Sequence, residues 1–114
     1  RTAGELTMKV FFLGAYSEKG RAGLLDSSTA ARVTAVTAMV EKAGAKLGSL
    51  TYLQGKYDVI ADLEVDCVET AAGIREVMLL SGAWNEILVM PEFDLDKAVA
   101  AAKAVGTYAM PGKE

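Results

Sequence analysis

The sequence predicts one α+β domain in which a sheet is covered by helices. The chain has 114 residues, a length that suits a single domain. Runs of alternating apolar residues are separated by stretches in which apolar residues recur every three or four positions. Hydrophobic residues make up 52% of the chain, which is enough for a substantial core.

The first strand and the following loop can be placed from composition alone. Residues 1–7 show no periodicity, and we expect a disordered leader or an expression remnant before Met8. Residues 8–16 are apolar on both alternating faces, which predicts a strand buried on both sides. Residues 17–27 contain two glycines and several charges and are interpreted as a loop.

A helix and a β-hairpin are expected next. Ser27 or Ser28 can cap the helix, and Gly44 ends it. The apolar stripe of this helix is Val33, Val36, Val40 and Ala43. Two alternating runs, 47–54 and 57–65, then meet at Gly55 and form a hairpin.

The two hairpin strands each divide into two faces because side chains alternate. In the first run, one face carries Leu47, Ser49, Thr51 and Leu53, and the other face carries Leu50 and Tyr52. In the second run, one face carries Val59, Ala61, Leu63 and Val65, and the other face carries Ile60, Asp62 and Glu64.

The C-terminal third predicts a helix, a strand and a last helix. Asp66 and Glu69 have the spacing of a capping box, and Gly82 ends the helix that they open. The apolar side of that helix is Ala71, Ile74, Val77 and Met78. Residues 86–90 form a short strand, and Asp94 caps a helix over 95–105. We therefore divide the chain into a domain over 8–93 and a helix with a tail over 94–114.

The order β-α-β-β-α-β predicts a ferredoxin-like sandwich, with both helices on one face of a four-stranded antiparallel sheet. The other face should be polar in a monomer, but the first strand is apolar on both sides. Tyr52, Ile60 and either Leu88 or Val89 are expected to extend this uncovered face. A large apolar face normally marks an interface, so we expect a second copy of the chain to cover it about a two-fold axis.

Charge and rare residue types exclude several functions. Lys and Arg number 12 against 15 Asp and Glu, a net charge of −3, which argues against nucleic acid and anionic membranes as partners. The chain has no histidine, which removes the commonest general base, most zinc sites and the Ser-His-Asp triad. We expect no cofactor and no metal. The single cysteine cannot form an internal disulfide, which favours the cytoplasm.

The hairpin resembles the GYD-domain family, which is named for a Gly-Tyr-Asp signature. Residues 44–58, GAKLGSLTYLQGKYD, followed by 59–64, VIADLE, carry the resemblance. The segment 16–20, YSEKG, together with Arg32 and Gly82, supports it, and the match extends over about 8–93. The resemblance implies a dimeric α/β barrel and brings no established activity. The leader and the Ala-rich last helix depart from the family pattern.

The signature residues Tyr57 and Asp58 are the first candidates for a site. Asp58 can accept backbone N–H bonds beside the turn, and Tyr57 can cover the hairpin, which is a purely structural role. Alternatively, both side chains lie at the mouth of the space between sheet and helices, or between subunits, and bind a small ligand.

Other polar residues extend the list of candidates. Asp62 and Glu64 share one strand face and can act in acid–base chemistry inside a barrel, can bind a divalent cation, or can simply be solvated. Tyr16 and Tyr52 reach the same cavity if they lie on that face, although tyrosines at interfaces more often pack. Arg32 can orient an anionic ligand or form a surface ion pair.

Cys67 and Trp84 have plain structural interpretations. Cys67 stands near a helix start, where a thiol is activated. Without a histidine partner, an idle thiol is the better interpretation. Trp84 is expected to anchor the last strand, with stacking on a ligand as the alternative.

Three hypotheses of function follow. The leading one is a non-enzymatic, homo-oligomeric protein of the GYD type that binds a small organic molecule or serves as an accessory protein. The second is a cofactor-independent enzyme, similar to monooxygenases or isomerases, in which Tyr57, Asp58 and Tyr16 position substrate and move protons. Asp62 or Glu64 is its base. The third is a subunit of a larger complex, bound through residues 17–27 or the last helix.

Overall fold

The computed structural model describes Leu6 and residues 8–114. The expectation of a disordered leader concerns residues that, Leu6 apart, lie outside this range. The strands are Met8–Tyr16 (β1), Lys46–Tyr52 (β2), Val59–Val65 (β3) and Trp84–Pro91 (β4). The helices are Glu18–Leu24 (α1), Thr29–Lys42 (α2), Val68–Leu80 (α3) and Leu95–Val105 (α4).

The four strands form one antiparallel sheet in the order β2-β3-β1-β4. Alternate residues of β1 and β3 are buried, and these side chains cluster with Val40 of α2 and with Ala71 and Ile74 of α3. The core therefore lies between one face of the sheet and these two helices. The predicted α+β class and four-stranded antiparallel sheet are confirmed, and the arrangement is compatible with a ferredoxin-like fold.

The segment 17–27 is not the loop that its glycines predict. It contains the seven-residue helix α1, which Ser17 caps by accepting a hydrogen bond from the N–H of Gly20. The backbone N–H of Ser17 is itself bonded to the carbonyl of Ala83 at 2.8 Å. This long-range contact fixes the start of α1, which local composition does not reveal.

The buried face of α2 is rotated from the predicted stripe. Ser28 caps the helix, as expected, by accepting from the N–H of Ala31. Val33 and Ala43 are exposed, however, and the side chains that face the sheet are Arg32, Val36, Met39 and Val40. This set has the i, i+4, i+7, i+8 spacing of one helix face. As a result, Arg32 lies over the sheet and not on the outer surface.

A β-bulge at Gly48 changes the faces of β2. The register of β2 on β3 shifts between Leu47 and Ser49. Leu47 thereby faces the core together with Leu50, so the predicted grouping of Leu47 with Ser49 is wrong. A Cβ at position 48 would overlap the carboxylate of Asp62, so any other residue there would require the Asp62 side chain to move.

The uncovered face of the sheet has an apolar centre, as predicted. Phe11 and Leu13 of β1 pair with Met90 and Leu88 of β4, and Leu13 also pairs with Ile60. Of the two residues of β4 that were expected as alternatives, Val89 packs against the core and Leu88 lies on the open face. The assignment of Tyr52 to this face is wrong, because Tyr52 pairs with the buried Val59 on the helix-covered side.

The start of α3 differs from the predicted capping box. Cys67 occupies the N-cap position and its side chain makes no capping bond. Asp66 instead accepts a hydrogen bond from the hydroxyl of Thr70 at 2.6 Å, and this bond lowers the pKa of the carboxyl. Glu69 lies in the first turn, where a negative charge interacts favourably with the helix dipole.

Helix α4 extends away from the packed domain. Its bounds agree with the prediction, and Asp94 caps it by accepting from the N–H of Lys97. No residue of α4 is buried, and Leu95 and Val105 are 64% and 74% exposed. The radius of gyration of 17.7 Å exceeds the value of about 13 Å expected for a compact chain of this length. None of the described helices is both long enough and apolar enough to cross a membrane.

Candidate functional site

Three aromatic rings form a stack at the end of β1. Tyr16, the last residue of β1, stacks on Trp84, the first residue of β4, with ring centroids 4.0 Å apart. Its other neighbour is Tyr52 at the end of β2, and the two hydroxyl oxygens lie 3.2 Å apart. Tyr16 is only 5% exposed, so this stack is a fixed part of the structure.

Two glycines make the stack possible. A Cβ on Gly14 would overlap the six-membered ring of Trp84, and a Cβ on Gly20 would overlap the carbonyl oxygen of Ala83 and approach the Tyr16 ring. Only glycine lets the backbone approach these groups so closely. The apparent loop glycine Gly20 is therefore a packing residue.

Helix α2 places Arg32 beside the rings. Arg32 is half-buried on the sheet-facing side of α2, one turn before Val36. Among the described residues, no carboxylate forms an ion pair with it. The sequence allowed either an anionic ligand or a surface ion pair for Arg32, and the described structure does not contain the ion pair. The guanidinium lies close enough to the Tyr16 hydroxyl to influence its ionisation.

An open cleft of about 410 Å³ lies above these residues, between α1, α2 and the end of α3. Tyr16 and Trp84 form its floor, and the apolar walls come mainly from Val36, Met39 and Met78. A smaller void of about 40 Å³ continues beneath it, between the sheet and the helices. The cleft thus has a rigid aromatic floor and walls that contain flexible methionines.

The Tyr16 hydroxyl stays protonated. Burial raises its pKa well above the ordinary value, and the hydrogen bond with Tyr52 raises it further, while Arg32 opposes the rise. A phenol with a raised pKa is a weak acid, so almost no phenolate is present to act as a base, and the neutral hydroxyl donates or accepts hydrogen bonds. Tyr16, whose hydroxyl is bonded to that of Tyr52, therefore offers a neutral polar group at the floor of the cleft.

The signature residues Tyr57 and Asp58 lie outside this cleft. The Asp58 carboxylate accepts a hydrogen bond from the N–H of Tyr16 at 2.8 Å, and its own N–H donates to the carbonyl of Gly14 at 2.8 Å. Asp58 therefore has the structural role expected as one alternative, because it accepts a backbone N–H bond beside the turn. Tyr57 packs beneath the ammonium of Lys56, which is 5.5 Å from the ring centroid.

Asp62 and Glu64 lie on the opposite face of the sheet. Asp62 accepts a hydrogen bond from the hydroxyl of Ser49, and Glu64 pairs in register with Lys9 and Lys46. The sheet separates both carboxylates from Tyr16. A shared cavity for Asp62, Glu64 and the tyrosines is therefore not what the fold produces. Within the described part of the chain, no cluster of His, Cys, Asp and Glu could hold a metal ion.

Some cleft residues were not singled out from the sequence. Lys19 of α1 reaches toward Gly82, where an added Cβ would lie 3.8 Å from the ammonium nitrogen. Together with Met39 and Met78, Lys19 lines the cleft. The spacing of Arg32, Val36 and Met39 was a usable signal, because it marks a second helix face beside the valine stripe. Lys19 had no such signal, since α1 was not foreseen. Cys67 lies outside the cleft, with its sulfur 3.4 Å from the Thr70 hydroxyl oxygen.

No protein-family model and no curated protein matches the chain. The resemblance to the GYD-domain family, which depends on residues 44–64, therefore stays a prediction.

Proposed function

We propose that the chain is a small-molecule-binding protein that works as a homo-oligomer. The observation that carries the binding part is the open cleft of about 410 Å³ over Tyr16 and Trp84. Ligand pockets are typically about 300–1,000 Å³, mostly apolar, with a few well-placed polar groups. Val36 and Met39 supply apolar wall, and Arg32 supplies a polar group, so the cleft agrees with each of these properties.

The sheet face opposite the helices supports the homo-oligomer. Phe11, Leu13, Ile60, Leu88 and Met90 lie together there without cover from any helix of the chain. The same face carries both signs of charge; its charged residues are Lys9, Lys46, Asp62, Glu64 and Glu86. A two-fold axis can therefore pack the apolar centres of two copies against each other and place opposite charges of the two copies side by side.

A ferredoxin-like monomer that dimerises in this way would form a dimeric α/β barrel. This is the architecture that the GYD-domain resemblance implies, and we propose membership of that family on the hairpin residues 44–64. The strand order β2-β3-β1-β4 and the packing of α2 and α3 on one face support the proposal.

Catalysis is the weaker alternative for the cleft. A cofactor-independent enzyme needs a base close to its substrate. The residues that line the cleft include no Asp or Glu, the chain has no histidine, and the Tyr16 hydroxyl holds its proton. Binding and release of a ligand require none of these groups.

One feature favours the second candidate, a subunit of a larger complex. Helix α4 carries Leu95, Val99 and Val105 on its exposed surface, and no residue of this helix is buried against the rest of the chain. An amphipathic helix with an uncovered apolar side is a typical partner-binding element.

The assembly is tested by measuring the mass of the full chain in solution at micromolar concentration by light scattering. We expect a dimer or a larger oligomer. Leu13→Glu should lower that mass, because it puts a charge in the middle of the apolar face. Leu25→Glu is the matched control, since Leu25 is 87% exposed elsewhere on the molecule. A wild-type monomer, or an unchanged mass for Leu13→Glu, contradicts the proposed interface.

The binding part is tested by native mass spectrometry of the intact oligomer and by its crystal structure after mild purification. We expect a copurifying molecule of low mass that occupies the cleft over Trp84. Empty protein that also binds no member of a small-molecule panel contradicts the binding proposal.

A further inference from the structure

We infer that the ligand of the cleft combines an apolar body with one anionic group, such as a carboxylate, and that Arg32 anchors the anion. The inference rests on the proposed ligand-binding function and adds the chemical class of the ligand. Neither the GYD-domain resemblance nor the composition of the chain points to this class.

The first argument is the local charge. The chain as a whole carries a net charge of −3, yet the charged residues that line the cleft are Lys19 and Arg32, with no Asp or Glu among the lining residues. In the described structure, neither cation is paired with a carboxylate. The cleft is therefore a positively charged region on an acidic protein, which attracts anions and disfavours cations.

The second argument is the position of Arg32. In the described structure, the partner of the half-buried Arg32 guanidinium is the neutral Tyr16 hydroxyl and not a carboxylate. A cation that has lost part of its hydration without gaining an opposite charge is costly. An anion bound beside it would restore the lost interaction, and the planar guanidinium can hold a carboxylate through two parallel hydrogen bonds. The Tyr16 hydroxyl, which is bonded to that of Tyr52, is a second polar group on the side of the cleft where the anion would lie.

The third argument is the remaining surface of the cleft. Val36, Met39, Val77 and Met78 make the walls away from Arg32 apolar, and Trp84 contributes aromatic surface to the floor. Such walls gain free energy from burying a hydrocarbon or aromatic body and offer it no hydrogen bonds. Methionine side chains adapt to different shapes, so the walls suit a class of apolar bodies and not one shape.

These observations together exclude a small anion that has no apolar body as the best ligand. Phosphate or acetate would satisfy Arg32 but would leave most of a cleft of about 410 Å³ unfilled. A neutral hydrocarbon would fill the cleft but would leave the guanidinium without an opposite charge. A small amphiphilic acid satisfies both parts of the site.

The test is titration calorimetry of the full-length oligomer with matched probes. The acids are octanoate and 4-phenylbutyrate, and each is compared with its primary amide and its amine. We expect the acids to bind at least about tenfold more tightly than the amides, since a hydrogen bond to a charged group contributes about that factor. The amines should bind more weakly still, because Lys19 and Arg32 repel them.

Variants then assign the anchor. Arg32→Met keeps the length of the side chain and should weaken the acids at least about tenfold while leaving the amides unchanged. Arg32→Lys keeps the charge and should retain part of the preference for acids. Arg21→Met is the matched control, because Arg21 is exposed on α1 and does not line the cleft. Circular dichroism confirms that each variant is folded, and the wild-type comparison of acids with amides needs no variant.

The outcomes separate this inference from the proposed function. If acids and amides bind equally, or if Arg32→Met leaves the preference for acids unchanged, the anionic class is wrong and ligand binding at the cleft stands. If no probe of any charge binds, both the inference and the proposed binding function are contradicted.

Discussion

The carboxylate of Asp58 holds the backbone of Tyr16 through a hydrogen bond of 2.8 Å between residues 42 positions apart. The N–H of Asp58 donates to the carbonyl of Gly14, also at 2.8 Å, and its carbonyl accepts from the N–H of Leu53 at 2.7 Å. One residue of the β2–β3 connection thus fixes the end of β1. The cleft floor depends on this residue although the residue does not line it.

Asp58→Ala should destabilise the protein by about 1–3 kcal/mol, because it leaves a part-buried backbone N–H without an acceptor. Urea titration measures the change in the free energy of unfolding. Asp26→Ala, at an exposed position in the α1–α2 connection, is the control and should change it by less than about 0.5 kcal/mol. Equal effects of the two substitutions would show that the hydrogen bond to Tyr16 contributes nothing.

Gly14→Ala should destabilise by about 1–3 kcal/mol because the added methyl group displaces the Trp84 ring. The cost should shrink when Trp84 is replaced by leucine, and a double-mutant cycle measures this coupling. Gly73→Ala is the control, since it adds a methyl group on α3 with no atom within 4 Å. It should be neutral or stabilising. An uncoupled pair at positions 14 and 84 would contradict the proposed contact.

The raised pKa of Tyr16 predicts a loss of stability in alkali. Below the ordinary tyrosine pKa of about 10, both the folded and the unfolded chain hold the Tyr16 proton, and the stabilisation is fully present. Above it, the unfolded chain releases the proton first, so the free energy of unfolding falls with rising pH. The decline should be less steep in Tyr16→Phe, as chemical denaturation at several pH values can show. Parallel curves for the two proteins would refute it.

Removal of residues 94–114 should leave the domain folded and equally stable to within about 0.5 kcal/mol. The described structure shows no buried residue in α4, while Glu92, which the shortened chain retains, bonds to both the N–H and the carbonyl of Lys9. Urea titration compares the two chains, and light scattering shows whether their masses differ in units of the monomer. A loss of more than about 1 kcal/mol at equal oligomeric state would mean that α4 packs on its own domain.

Much of the backbone could be predicted because local chemistry determines it. The strict alternation of Val59, Ala61, Leu63 and Val65 predicted the buried side of β3. Ser28 capped its helix, as the hydrogen-bonding capacity of its side chain predicts. The glycine expected to end this helix, Gly44, has a positive φ of 75°.

The site was less predictable because distant parts of the chain create it. The bulge at Gly48 lies beside Asp62 of the next strand, and it moves Leu47 to the face opposite the one that simple alternation assigns. Tyr16, Arg32 and Trp84 meet only after the sheet and α2 have packed. Sequence reasoning identified Tyr16 and Arg32 as candidates, but it considered a cavity that Tyr16 shares with Asp62 and Glu64, which lie across the sheet.

The position of Trp84 at the floor of the cleft has a practical consequence. The chain contains one tryptophan, and its indole stacks on Tyr16 at the floor of the cleft. Tryptophan emission of the unlabelled protein, excited at a wavelength that tyrosine does not absorb, is therefore a signal from this location alone. A compound that enters the cleft changes the polarity around the indole and shifts its emission, while one that binds on the far face of the sheet leaves the emission unchanged. The protein thus carries its own optical reporter for occupancy of the cleft.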